Sequence, residues 1–135
     1  MSDADAVLAR RCLLAGALLM LLGVALGAFG AHGLQGRLTP QRLASFQTGV
    51  HYQQLQALGL LLVGVLAGRR SSAALHWSAR LMVVGVVLFS GAIYLLAAGA
   101  PRWLGMVAPL GGVSMMAAWL ALAVHALRSS GNSTS

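Results

Sequence analysis

The sequence predicts an all-α fold, an integral membrane four-helix bundle with both termini in the cytoplasm. The chain of 135 residues is 59% hydrophobic and 8% charged, with a mean hydropathy of +0.82, whereas a soluble domain carries about 25% charged residues. Its apolar residues form four runs, separated by short links that contain arginine. Arginine is more frequent on one side of these runs than on the other, which sets the expected orientation.

The formal charge of +7 comes from nine basic residues, all arginine, against two acidic ones. They lie singly or in pairs between apolar runs rather than along one face, so we expect no nucleic-acid partner. The larger group comprises Arg10, Arg11, Arg69, Arg70, Arg80 and Arg128, and the smaller group Arg37, Arg42 and Arg102. The positive-inside rule places the larger group and both termini in the cytoplasm.

The apolar runs divide the chain into three parts. We expect a cytoplasmic tail over residues 1–11, a single transmembrane domain over 12–127 and a disordered cytoplasmic tail over 128–135. The predicted spans are 12–31, 46–68, 81–98 and 105–127. The fourth helix starts either near Leu104 or at Pro109, because proline is favoured in the first turn of a helix.

The first run carries a stripe of small residues. A signal peptide is the main alternative for this run, but it is long for that role and Gly30-Ala31-His32 is a poor cleavage site. Helical periodicity places Gly16, Gly23, Gly27 and Gly30 on one face. Such a face allows a second helix backbone to approach closely, and we favour packing within the chain over a dimer contact.

The second run is polar over half of its length. Its apolar part, residues 57–68, is too short for a hydrocarbon layer of about 30 Å, and Arg69 and Arg70 block extension forwards. The span therefore reaches back through glutamines, and we expect these polar groups to face other helices or a wet cavity. Thr39-Pro40 predicts the helix start, with threonine as the cap.

The third and fourth runs supply contacts for the second. A tyrosine hydroxyl inside the membrane needs a partner, which the second helix offers. The polar intramembrane cluster predicted in this way comprises His32, Gln47, His51, Tyr52, Gln53, Gln54, Gln56, Ser90 and Tyr94. The fourth helix carries a second small-residue stripe for packing, formed by Gly111, Ser114, Ala118 and Ala121.

Carboxylates are absent from all four runs. The chain contains no glutamate, and Asp3 and Asp5 both lie in the N-terminal tail. Small four-helix drug exporters and most proton-coupled carriers use a carboxylate within the membrane, so that mechanism is excluded. His32 and His51 could ligate a metal, but two histidines without a third ligand favour hydrogen bonding instead. We therefore predict no metal site, no catalytic residue and no cofactor.

Four strings of the sequence resemble a family of small four-helix membrane proteins known as domain-of-unknown-function family 423. They lie in order along most of the chain, at residues 25–34, 48–53, 88–94 and 109–114. The resemblance implies four helices and a location in the bacterial inner membrane. It implies no activity.

Three classes of function stay open at this point. We favour a non-enzymatic protein that binds or organises other membrane components, with the lipid bilayer and either a second copy or another membrane protein as partners. The alternative is an oligomeric carrier or channel for a small neutral or weakly charged solute. An enzyme using His32 or His51 is disfavoured because the sequence offers no nucleophile or orienting carboxylate beside them.

Overall fold

The computed structural model describes residues 2–131, and all regular secondary structure in that range is helical. Helix α1 is Asp3–His32, α2 is Pro40–Arg69, α3 is Ala73–Ala97 and α4 is Ala108–Ser130. A short 3₁₀ helix, Arg102–Met106, lies between α3 and α4. All four α-helices are long and apolar enough to cross a membrane, so the predicted all-α fold with four helices is confirmed.

Side-chain caps define three of the helix starts. Ser2 and Asp5 form a capping box at α1, and Ser72 accepts the Leu75 N–H at α3. Thr39 accepts the Arg42 N–H at 3.3 Å and Pro40 opens the helix, which confirms the predicted start of α2. Each cap satisfies a backbone donor that has no partner within its helix.

The sequence left two possible starts for the fourth helix, Leu104 and Pro109, and the structure has helical turns at both. Residues 102–106 turn as a 3₁₀ helix, and the α-helix follows from Ala108, with Pro109 in its first turn. Proline fits there because its missing N–H would have no helical acceptor. No side chain caps this helix start.

The helices extend beyond the predicted spans. Helix α1 already begins at Asp3, within the segment expected as a tail, because the capping box stabilises its first turn. Helix α4 continues to Ser130, so residues 128–130 are helical where disorder was expected. Gly131 lies in a turn, and the remaining residues of that predicted tail, 132–135, lie outside the described residues. A helix of 30 residues is about 45 Å long, longer than a hydrocarbon layer of about 30 Å.

Helix α2 forms the centre of the bundle. Helix α1 packs along α2, α3 packs along α2 on another side, and α4 packs along α3. Half of the apolar window of α2 is buried, against 17% for α1 and for α4. Buried positions of α2 recur at intervals of three and four residues, for example Phe46, Gly49, Gln53, Gln56 and Leu60. This spacing produces one inward face along the helix.

Contacts between the helix ends bring three parts of the chain to one end of the bundle. Asp5 accepts hydrogen bonds from the backbone and hydroxyl of Ser71, in the α2–α3 link. The neighbouring Ser72 pairs with His125 of α4, with 2.8 Å between Oγ and Nδ1. The start of α1, the α2–α3 link and the end of α4 therefore lie together. We call this the Asp5 end.

Candidate functional site

Gln53 joins three helices inside the bundle. Its side chain is 3% exposed. The Nε2 amide donates to the Leu19 carbonyl of α1 at 2.9 Å, and Oε1 accepts from the Tyr94 hydroxyl of α3 at 2.6 Å. Both ends of the amide thus have partners. An unpaired amide in an apolar interior would be strongly destabilising.

A second contact between α2 and α3 lies one turn before Gln53. The Ser90 hydroxyl donates to the Gly49 carbonyl at 2.6 Å. Gly49 allows this approach, because a Cβ there would lie 3.2 Å from Ile93 and 3.3 Å from the Tyr94 ring. Phe46 packs on Tyr94 with ring centroids 5.2 Å apart. Tyr94 is thereby fixed both by its ring and by its hydroxyl.

Gln56 connects α2 to α4. Its side chain is also 3% exposed, and Oε1 accepts from the Trp119 Nε1–H at 3.1 Å. Sequence reasoning missed Trp119. The signal was present in the residue type, because an indole N–H within an apolar helix requires an acceptor.

The remaining members of the predicted cluster lie nearer the surface. His32, Gln47 and His51 are exposed, and Tyr52 is 41% exposed. Gln54 is half-buried, and its side chain covers Gly23 of α1. The nine residues therefore do not form one cluster. The reason is periodicity: the polar stretch covers the whole circumference of α2, whereas only one face of the helix points inward.

Tyr52 belongs to an aromatic group at the surface of α2. Its ring contacts Phe89 of α3 edge-on at 5.2 Å and His51 at 5.7 Å. The same two side chains, Tyr52 and Phe89, line a groove of about 690 Å³ between α2 and α4. The groove is mostly apolar, and Gln56 and Trp119 lie among its lining residues.

The glycine stripe of α1 lies against α2. A Cβ at Gly16 would lie 2.9 Å from the Ala57 carbonyl oxygen, and one at Gly30 would lie 2.9 Å from the Phe46 ring. Gly23 and Gly27 face Gln54 and Val50 in the same way, at 3.0 and 3.4 Å. The small residues therefore permit close contact within one chain.

The second small-residue stripe lies between α4 and α3. Gly111 crosses α3 at Gly85 and Phe89, so that a Cβ on Gly111 would collide with the Phe89 backbone. One turn on, Ser114 donates to the Leu81 carbonyl at 2.8 Å. The Ala118 carbonyl accepts from Ser78, also at 2.8 Å, and Ala121 is half-buried.

The Asp5 end contains polar contacts that sequence reasoning did not find. Hydrogen bonds from Ser71 and from Ser2 hold the pKa of the Asp5 carboxyl well below its usual range. His76 Nδ1 lies 2.9 Å from the Ser72 carbonyl. These partners are far apart in sequence, so no local pattern indicated them. Within residues 2–131, no three metal-ligating side chains lie together.

A pocket of about 640 Å³ opens near the opposite end of α2. It lies between the start of α2, the end of α3 and the 3₁₀ helix. Arg42 and Arg102 both line it. We call it the Arg42–Arg102 pocket.

Comparison with known proteins decides the family. A family model described as "Protein of unknown function (DUF423)" matches residues 26–112. The chain belongs to this family. "UPF0382 membrane protein YwdK" of Bacillus subtilis is 42% identical over 84% of the chain and 93% of its own length. "UPF0382 inner membrane protein YgdD" of Escherichia coli K12 is 42% identical over 78% of the chain and 80% of its own length. No solved structure matches.

The family match agrees with the four apolar helices. The chain is a multi-pass protein of the bacterial inner membrane. The names of the relatives state a membrane location and no activity. The geometry of the chain itself is therefore the basis for a functional proposal.

Proposed function

We propose that this DUF423 member is a non-enzymatic protein that binds or organises other components of the inner membrane. The observation that carries the proposal is the internal pairing of Gln53 with Leu19 and Tyr94. Because Gln56 is likewise paired with Trp119, the buried glutamines of α2 hold the bundle together. The parts left for interaction are the outward faces of the helices and the grooves between them.

The distribution of reactive groups supports a non-enzymatic role. Ser72 and His125 have the spacing of a nucleophile and a base. However, the Ser72 hydroxyl also accepts the Leu75 N–H as the cap of α3. No carboxylate among residues 2–131 orients the His125 ring, since Asp5 is bonded to Ser71 and Ser2. The pair is best explained as a contact between α3 and α4.

The carrier alternative is weaker on the same geometry. A solute path through the bundle needs polar groups free to exchange hydrogen bonds with the solute. Gln53, Ser90 and Tyr94 already bond to one another's helices. A carrier would have to break these bonds in each cycle or place its path between copies of the chain.

Photo-crosslinking in intact membranes tests the proposal directly. A photoreactive residue is placed at one outward position of each helix, Leu21, Val65, Val87 or Leu120, all of which are more than half exposed. We expect one saturable adduct of defined mass, confined to one face, and the three other positions serve as matched controls. Native mass spectrometry of gently extracted protein should show the same companion at fixed stoichiometry.

Two results would contradict the proposal. One is a chain that carries no companion in native mass spectrometry and gives unspecific crosslinks from all four photoreactive positions. The other is rapid solute flux into liposomes that contain the purified protein, which would support the carrier instead. Liposomes that stay impermeable to a broad panel of neutral and weakly charged solutes agree with the proposed role.

A further inference from the structure

The Arg42–Arg102 pocket brings together elements that are distant in sequence. The first turns of α2 form one side, and the end of α3, the 3₁₀ helix and the start of α4 form the other. Its volume of about 640 Å³ lies within the range of small-molecule sites, about 300–1,000 Å³. Its polar lining residues are Gln41, Arg42, Ser45, Thr48 and Arg102.

The two guanidinium groups have no counter-ion within the described chain. The acidic residues Asp3 and Asp5 are the chain's two carboxylate side chains, and Asp5 contacts Ser71 beyond the far end of α2. The helix between Arg42 and Ser71 is about 40 Å long. At that distance, exposed charges are screened from one another. The acidic side chains of the chain therefore supply no counter-ion to this pocket, whose two arginines are exposed.

One part of the pocket wall is apolar. It is formed by Ile93, Leu96 and Ala97 of α3 together with Ala108 of α4. A site that presents both cations and alkyl groups matches a ligand that has an anionic head and a hydrocarbon chain. Free phosphate would leave the apolar wall unused.

We propose that the Arg42–Arg102 pocket binds the phosphate group of an anionic phospholipid. Guanidinium groups bond phosphate oxygens in bidentate fashion, so Arg42 and Arg102 contact the headgroup. Gln41 and Ser45 lie beside Arg42 on α2 and offer donors to the remaining headgroup oxygens. The first acyl carbons rest on Ile93 and Leu96. The site gives a ligand class to the proposed role in binding membrane components and rests on that role.

The chain offers two matched controls. Arg37 carries the same charge at the same end of the bundle, in the α1–α2 link, and is not among the residues that line the pocket. Gly105 does line it, and a Cβ there would meet only Leu96, at 4.0 Å. Gly105→Phe therefore adds a ring at the pocket wall, at a position where the Cβ meets no backbone, and leaves both arginines in place. Gly91, whose Cβ position is open, gives the corresponding control, Gly91→Phe.

Native mass spectrometry of the delipidated full chain in detergent tests the site. Phosphatidylglycerol and phosphatidylcholine with identical acyl chains are added at equal concentration. Both lipids carry the phosphate diester, but the two arginines repel the choline cation of phosphatidylcholine, so we expect a preference of about tenfold for phosphatidylglycerol. R42Q/R102Q should lose the preference, Arg37→Gln and Gly91→Phe should keep it, and Gly105→Phe should bind neither lipid well. R42K/R102K should recover part of the binding, which reports on the charge itself.

Three results would overturn the site. The first is phosphatidylglycerol binding by R42Q/R102Q at the wild-type level. The second is an equal loss in Arg37→Gln, which would make net charge the cause. The third is displacement of the lipid by inorganic phosphate alone, which would indicate a free-anion site. If one of these results is obtained but photo-crosslinking still captures a companion, the phospholipid site is wrong and the proposed function stands. If photo-crosslinking captures no companion either, both the site and the proposed function are wrong.

Discussion

Gln53 and Gln54 are neighbours in sequence but occupy different surroundings in the bundle. Gln53 is buried and bonded to two other helices, whereas Gln54 is half-buried and makes no hydrogen bond among residues 2–131. Its chain instead packs on Gly23. Two identical side chains therefore contribute differently to stability, because only Gln53 lies on the inward face of α2.

This difference predicts unequal effects of Gln53→Leu and Gln54→Leu, in which an apolar side chain of similar size replaces the amide. Gln53→Leu leaves the Tyr94 hydroxyl without its acceptor, and we expect the free energy of unfolding to fall by about 1–2 kcal/mol. Gln54→Leu should change it by less than about 0.5 kcal/mol. Unfolding of the purified protein in mixed micelles measures both values. A double-mutant cycle with Tyr94→Phe should show coupling with Gln53 and none with Gln54.

Asp5 predicts an acid-sensitive contact at the end of the bundle. Because its folded pKa is depressed by Ser71 and Ser2, the contact contributes stability above the unfolded pKa of about 4. That contribution is lost as the pH falls from there through the folded value. The thermal midpoint should therefore decline in this range, and Asp5→Asn should flatten the decline. Asp3→Asn removes a charge from the same turn but leaves the contact between Asp5 and Ser71 in place, so the decline should persist.

Among the helices, the α3–α4 contact depends on one glycine of an adjacent pair. Gly111 faces the backbone of Phe89, whereas nothing lies within 4 Å of a Cβ on Gly112. We expect Gly111→Ala to force the two helices apart and to lower the free energy of unfolding by about 1–3 kcal/mol. Gly112→Ala should be neutral or stabilising, since alanine is the better helix former. Equal effects of the two variants would contradict the tight crossing.

The sequence reveals individual helices better than it reveals the pairing between them. Thr39-Pro40 and the apolar runs act locally, so the start of α2 and the number of helices could be predicted. The partner of Gln56 depends on the rotation of α4 about its own axis, which no pattern in α2 encodes. For the same reason, Trp119 was missed. The exposed positions of Gln47 and His51 were assigned to the interior because the polar stretch covers the whole circumference of α2, whereas only one face of the helix points inward.

For the molecule as a whole, the contacts at the Asp5 end constrain the topology. Asp5 with Ser71, and Ser72 with His125, bring the start of α1, the end of α4 and the α2–α3 link to one end of the bundle. That end also carries Arg10, Arg11, Arg69 and Arg70. The other end carries Arg37 and the Arg42–Arg102 pocket. The side of the membrane on which the Asp5 end lies therefore fixes the orientation of all four helices.

The positive-inside rule predicts that the Asp5 end lies on the cytoplasmic side, and reporter fusions can test this orientation. We expect green fluorescent protein fused after residue 135 to fluoresce in cells and alkaline phosphatase at the same site to be inactive, because both report a cytoplasmic C-terminus. Fusion of the same reporters after α1 should give the reverse result. If the arginines set the orientation, replacing the four near the Asp5 end by glutamine should produce a mixed population, whereas replacing Arg37, Arg42 and Arg102 should not. A cytoplasmic C-terminus places the phospholipid site in the outer leaflet. An active phosphatase at the wild-type C-terminus would place this site in the cytoplasmic leaflet instead.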